Sequence, residues 1–136
     1  EFMRIVRHCL KDDGLFLLHT IGGNKSVITA HQWLEKYIFP DGMLPSMRQL
    51  VKATEDKFIM EDCHNFGADY DKTLMCWYEN FNNNWGAIEH QYDERFFRMW
   101  KYYLLSCAGG FRARGNQLWQ IVFSKNGVPG GYYSIR

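Results

Sequence analysis

The sequence predicts an α/β fold, and three observations carry that prediction. Three segments have strand character. They are the continuous apolar run Leu15-Phe16-Leu17-Leu18, the stretch Lys57 to Cys63 built on Phe58-Ile59-Met60, and the alternating stretch Gln117 to Lys125. Helical periodicity occupies much of the chain between them. The chain also opens on a helix, a turn and a buried-looking strand, which is the closing half of an αβ unit.

Phe2, Ile5, Val6, Cys9 and Leu10 recur at helical spacing, with Arg4, Arg7 and Lys11 between them, and Lys11-Asp12-Asp13-Gly14 ends this helix in a turn. The run that follows has no polar positions, so the prediction is a strand buried on both faces, as in a parallel sheet. Gly22 to Ser26 reads as a flexible loop and His31 to Ile38 as one short helix. Pro40-Asp41-Gly42 is a turn, and Ser46 is placed to cap a helix over Met47 to Thr54. In Glu61 to Tyr70 the expectation is a strand end, a sharp turn at Gly67 and a helix capped by Asp69. That helix runs from Tyr70 to about Phe81 and is ended by Asn82-Asn83-Asn84-Trp85-Gly86. Tyr92 to about Phe111 is the longest helical pattern. Arg95, Arg98 and Lys101 keep to one narrow side of it. Apolar residues cover most of the rest, which requires either a core or a greasy ligand against it. Asn126 to Gly131 ends regular structure. Residues 1–125 thus read as part of a single domain and 126–136 as a tail that frays.

Composition limits the function classes. A chain of 136 residues is one domain at most. Sixteen Lys and Arg against fifteen Asp and Glu give no electrostatic case for nucleic acid. Aromatic residues make up 17% of the chain, which demands a dense core or a large apolar pocket. Cys9, Cys63, Cys76 and Cys107 include no Cys-x-x-Cys pair, so neither a zinc site nor a redox motif is expected, and thiols are. With no leader pattern and no 18-residue apolar run, the chain is not expected to span a membrane.

The wording of several stretches goes further. His64-Asn65-Phe66-Gly67-Ala68-Asp69-Tyr70 resembles a signature of the cyclopropane fatty acid synthases. Leu17-Leu18-His19-Thr20-Ile21-Gly22 and Tyr37 to Ser46 agree ahead of it. Thr73 to Tyr78 and Cys107 to Arg114 agree after it. The resemblance extends to about Lys125, looks closest to the bacterial phospholipid enzymes, and corresponds to the carboxyl-terminal part of such an enzyme. It implies the C-terminal half of a Rossmann-like class I methyltransferase fold, with three strands, the last antiparallel to its neighbours. The helices after Tyr70 would cap a lipid site.

The resemblance also implies a reaction: the π bond of a cis-unsaturated phospholipid acyl chain attacks the methyl of the S-adenosylmethionine sulfonium, which leaves as the neutral thioether, and the net transfer is of a methylene group. The cation so formed would lose its proton to bound bicarbonate as the cyclopropane ring closes. His19, the backbone at Ile21 and Tyr70 would hold the bicarbonate. Leu74, Tyr103, Cys107 and Phe111 would line the acyl channel, with Cys107 a wall thiol rather than a nucleophile. His19, Tyr70 and Cys107 are then the candidate catalytic positions. On residues alone, His19 reads as a structural histidine at a strand end, and spacing does not tell Tyr70 from an ordinary amphipathic tyrosine. The 103, 107, 111 stripe on residues alone reads as core packing. His64, Asn65 and Asp69 are expected to brace their loop. Cys63 stands where relatives are expected to carry a larger aromatic. Cys76 reads as core, and His8, His31 and His90 as surface.

No G-x-G-x-x-G pattern follows a strand, so the cofactor site is expected to lie mostly outside this chain, which alone would be inactive. The first strand would then expose an unpaired edge and favour self-association. The implied location is cytoplasmic, peripheral at the inner membrane face. Two alternatives remain open: a related methyltransferase acting on another lipid or a small amine, and a non-catalytic lipid-binding module.

Overall fold

The computed structural model describes residues 1–29 and 31–135. In chain order the elements are α1 (Phe2–Cys9), β1 (Leu15–Gly23), α2 (Gln32–Tyr37), α3 (Met47–Thr54), β2 (Ile59–Asn65), α4 (Gly67–Asn83), α5 (Trp85–Ile88), α6 (Glu94–Arg112) and β3 (Asn116–Ser124). The strands form one sheet in the order β1-β3-β2, and β3 runs antiparallel to both neighbours, as expected.

The register of β3 explains the two cores. Trp119, Ile121 and Phe123 point to one face, where they pack with Leu50 of α3 and with Phe16, Leu18 and Phe58. Leu118 points to the other face, where it packs with Leu74 of α4 and with Leu104, Ala108 and Phe111 of α6. β3 is therefore the strand buried on both sides, although its sequence alternates. Two-sided burial was expected of β1 and is not found there: Leu15 and Leu17 are exposed. Phe16 and Leu18 enter the α3-side core. The other face of β1 is covered only where α4 and α6 pack over Ile21.

β1 also runs further than its apolar letters suggest. Gly22 and Gly23 belong to the strand, not to a loop. The indole of Trp119 lies where a Gly22 side chain would be, so that a Cβ there would stand 2.0 Å from the ring. The Gly23 amide donates to the carbonyl of Pro45 at 3.0 Å, joining β1 to the start of α3.

Helix ends follow local chemistry. α3 spans the predicted residues and opens on a capping box. The Ser46 hydroxyl accepts from the Gln49 amide while the Gln49 side chain accepts from the Ser46 amide. α6 is capped by Asp93, whose carboxylate accepts from the Phe96 amide. α4 departs from expectation, because it begins at Gly67, three residues before Tyr70, and Asp69 does not cap it. The Asn65 side chain accepts from the Gly67 amide at 2.9 Å, while Asp69 lies in the first turn and pairs with Lys72. Gly67 makes no left-handed turn; a side chain there would crowd Asn65, Gln117 and Arg114. α4 and α6 lie antiparallel, since Asp71 pairs with Arg112 and Lys101 lies over the Tyr78 ring. Cys76, expected in the core, is on the exposed side of α4. The start of the tail is fastened rather than frayed: Glu61 accepts from the Ser124 hydroxyl and the Val128 amide. Tyr133 and Ile135 stand in solvent.

Candidate lipid site

Between the sheet and the α4–α6 pair lies a cavity of about 1010 Å³. His19 and Ile21 of β1, Tyr70 and Leu74 of α4, and Tyr103, Cys107 and Phe111 of α6 all line it. These seven are the residues singled out from the sequence. Helical geometry makes the grouping possible, because residues four apart share a face, so each helix presents one stripe to the same space. The β1 stripe is set by the pleat, which puts His19 and Ile21 on the same side.

His19 is not at the strand's end, as expected, but the fifth of nine residues in β1, exposed and opposite Gln120. His64 faces Gln120 from β2 and lies against the Phe66 ring at a 42° tilt, with ring centres 3.9 Å apart. Tyr70 meets Phe111 edge to face at 5.0 Å and Trp77 at 5.9 Å. Tyr103 meets Phe39 at 5.8 Å and Trp100 at 5.1 Å. Burial pushes the Tyr103 hydroxyl up to about 12, with Cys107 and Tyr70 adding to the effect. Burial likewise raises the Tyr70 hydroxyl and the Cys107 thiol, the latter opposed by a hydrogen bond with Ser106. All three groups therefore hold their protons at neutral pH. Tyr70 and Tyr103 are hydroxyl donors, and Cys107 is a thiol, the form that makes a wall rather than a nucleophile.

Two features were missed in the sequence. The first is the segment between β1 and α3, which supplies much of the remaining wall through Val27, Trp33, Leu34, Phe39, Met43 and Leu44. Its signal is present, because Tyr37 to Ser46 belongs to the resemblance, but the resemblance assigns no role within it. The second is a polar hub around buried Gln117. Its side-chain oxygen accepts from Asn65 at 2.9 Å and Arg114 at 3.0 Å, and its amide donates to Asn24 at 3.1 Å and to the Arg114 carbonyl. Asn24 in turn donates to the Arg114 carbonyl at 2.8 Å. Three connections are thereby tied together at one end of the cavity. Gln117 read only as a polar letter in an alternating strand, so nothing in the sequence marked it.

The wall chemistry tests what could be held. Among the described lining residues there is no carboxylate. A dinucleotide- or adenosyl-type cofactor in such folds is held by a Gly-rich loop and an acidic residue on the ribose. The Gly22 position is filled by indole. These residues do not fit S-adenosylmethionine. His19 and Tyr70, two residue types able to donate to a small oxyanion, line the same space. Among the described residues no cluster of His, Cys, Asp and Glu could hold a metal ion.

The sheet and its helical cover make an α/β chain whose fold is that of part of the class I methyltransferases. The fold matches two mycobacterial-type cyclopropane synthases. The synthase MmaA2 of Mycobacterium tuberculosis superposes with a TM-score of 0.80 at 23% identity, over 91% of this chain and 48% of that one. The synthase CmaA1, complexed with SAH and CTAB, gives 0.82 at 24%, with the same coverage. Residues 1–121 match the family described as mycolic acid cyclopropane synthetase, and the chain belongs to that family. It is 55% identical over 130 residues to the cyclopropane-fatty-acyl-phospholipid synthase of Escherichia coli K12, covering 96% of this chain and 34% of that sequence. A Citrobacter freundii synthase of the same description is 55% identical over 82 residues, 60% of this chain and 91% of that sequence. Sphingolipid C9-methyltransferase A of Emericella nidulans is 32% identical over 132 residues, 93% of this chain and 26% of that sequence. The chain thus spans about a third of the length of the E. coli relative.

Proposed function

We propose that this chain forms the acyl-acceptor part of a cyclopropane-fatty-acyl-phospholipid synthase. The observation that carries the reading is the convergence of seven residues, from one strand and two helices, on a single large and mostly apolar cavity. Its volume is at the upper end of the roughly 300–1,000 Å³ typical of small-molecule sites, which suits a long flexible chain. Burying each acyl methylene contributes about 0.8 kcal/mol, so hydrocarbon is drawn into such a space without strong polar contacts.

The complete protein, on this reading, delivers a methylene group from S-adenosylmethionine to the cis double bond of a phospholipid acyl chain. This chain's residues bind and orient the acyl chain through Leu74, Cys107 and Phe111. The ring faces of Tyr103 and Phe111 favour positive charge at the reacting carbon. His19, Tyr70 and the backbone at Ile21 hold bicarbonate, which takes the proton lost on ring closure. The cofactor is held elsewhere in the complete protein, and this chain alone neither binds it tightly nor turns over; titration calorimetry with this polypeptide checks that. The complete protein is placed in the cytoplasm, peripheral at the inner membrane face. The exposed Leu15 and Leu17 favour self-association of this chain.

The test is an assay of the complete gene product with unsaturated phospholipid vesicles and cofactor, reading ring-containing fatty acid by mass spectrometry. Tyr70→Phe should lower kcat about 10²-fold or more with little change in KM, the loss expected on removing one hydrogen-bond donor to an anion at the reacting centre. Methylation of a small amine or a branched rather than cyclised product would replace this reading with a related methyltransferase. Lipid binding without turnover would leave a binding module.

A further inference from the structure

We propose that the rim of the cavity is a bilayer-docking surface, formed by Val27, Ile28, Phe39, Met43 and Tyr102. The proposal rests on reading the cavity as an acyl-chain site. Val27, Phe39, Met43 and Tyr102 line the cavity and are also exposed, at 43–54% of their surface. Ile28, next to Val27, is 89% exposed. Large apolar side chains are thus gathered around one opening and stand in water on their outer side. Scattered singly they would need no explanation, but gathered at a mouth they mark an interaction surface.

The chemistry around the rim selects a bilayer as the occupant. Trp33 packs edge to face on Tyr102, with ring centres 4.6 Å apart, and on Tyr37 at 5.4 Å. Tryptophan and tyrosine, apolar at one end and polar at the other, suit the level of lipid head groups. Cations frame them. Lys25 lines the opening, Lys36 lies 5.2 Å from the centre of the Tyr37 ring, and Arg95 reaches the Tyr37 hydroxyl. Those two cations hold that hydroxyl below its ordinary value. Within residues 25–44 Glu35 and Asp41 balance Lys25 and Lys36, so the aromatic residues rather than a net charge select the bilayer. A protein partner seated here would close the mouth. A bilayer would leave its hydrocarbon continuous with the cavity, so an acyl chain could enter without crossing water.

Flotation of the chain with vesicles of phosphatidylethanolamine and phosphatidylglycerol tests this. Ile28→Glu combined with Phe39→Glu should lower the partition constant more than about tenfold, because two inserted apolar side chains become charged. Ile5→Glu, at a position on α1 as exposed as Phe39, should leave it unchanged. Equal loss in both variants, or none in the rim variant, overturns the proposal. Ile28→Glu alone, at the named rim position that does not line the cavity, is then made in the complete gene product. It should lose turnover on vesicles but keep it on a short-chain unsaturated phospholipid dissolved as monomers. Equal loss on both substrates overturns docking and leaves the acyl-site reading standing. If the unsubstituted protein turns over neither substrate, the acyl-site reading fails, and flotation alone decides whether the rim docks. Circular dichroism of each variant separates these results from unfolding.

Discussion

Gly22 shows how much one missing side chain can decide. The Trp119 indole occupies its side-chain space, and Trp119 is itself buried between the central strand and α3. Gly22→Ala would drive a Cβ into a buried ring. The expected loss is about 1–3 kcal/mol or more, read as a lower urea midpoint; an unchanged midpoint would show that the ring can relocate. Tyr103 offers a pH-dependent test. Its folded value lies near 12, above the ordinary 10.0, so the unfolded chain ionises first as pH rises. Stability from this residue is intact below pH 10 and declines through the interval to about 12. Thermal melting across that interval should fall more steeply for the native chain than for Tyr103→Phe.

At the scale of elements, short helices depend on their ends. α3 has eight residues and could not hold its shape alone in water. Its capping box and the Leu50 anchor secure it against the sheet. Ser46→Ala should cost about 0.5–2 kcal/mol, because it leaves the Gln49 amide without its acceptor and also removes the contact with the Ser26 hydroxyl. A denaturation curve superimposable on the unsubstituted chain would show that water replaces the cap without loss. This cap was legible because its signal is local: a serine followed three residues later by glutamine. The start of α4 was not legible. Asp69 had the right residue type, but Asn65, held by Gln117 from a strand far along the chain, took the role. A sequence window cannot see that partner.

For the whole molecule, the question is what the sheet leaves uncovered. Ile59 and Met60 of β2 join Leu15 and Leu17 of β1 among the exposed apolar residues, and β1 and β2 are the sheet's two edges. Light scattering of this chain at rising concentration should show association, and Leu17→Glu should shift it toward monomer. A mass independent of concentration would argue against it. The exposed position of Leu17 also corrects the sequence reading at its source. Continuous apolarity in β1 predicts burial on both faces, yet the alternating β3 holds the centre. An alternating strand can be buried twice over when its polar positions, such as Gln117, are satisfied by hydrogen bonds.

The amino-acid letters alone were enough for the α/β class, the strands and the main helices, and the seven candidate residues. Each rests on periodicity, local turn chemistry or wording that survives without a partner. Only the tertiary structure decided which strand lies central, what fills the space at Gly22, how Gln117 ties three connections, and that Val27, Trp33, Leu34, Phe39, Met43 and Leu44 complete the cavity wall. Those depend on contacts between segments distant in the chain, where packing and hydrogen-bond satisfaction choose among arrangements that local preference leaves equal.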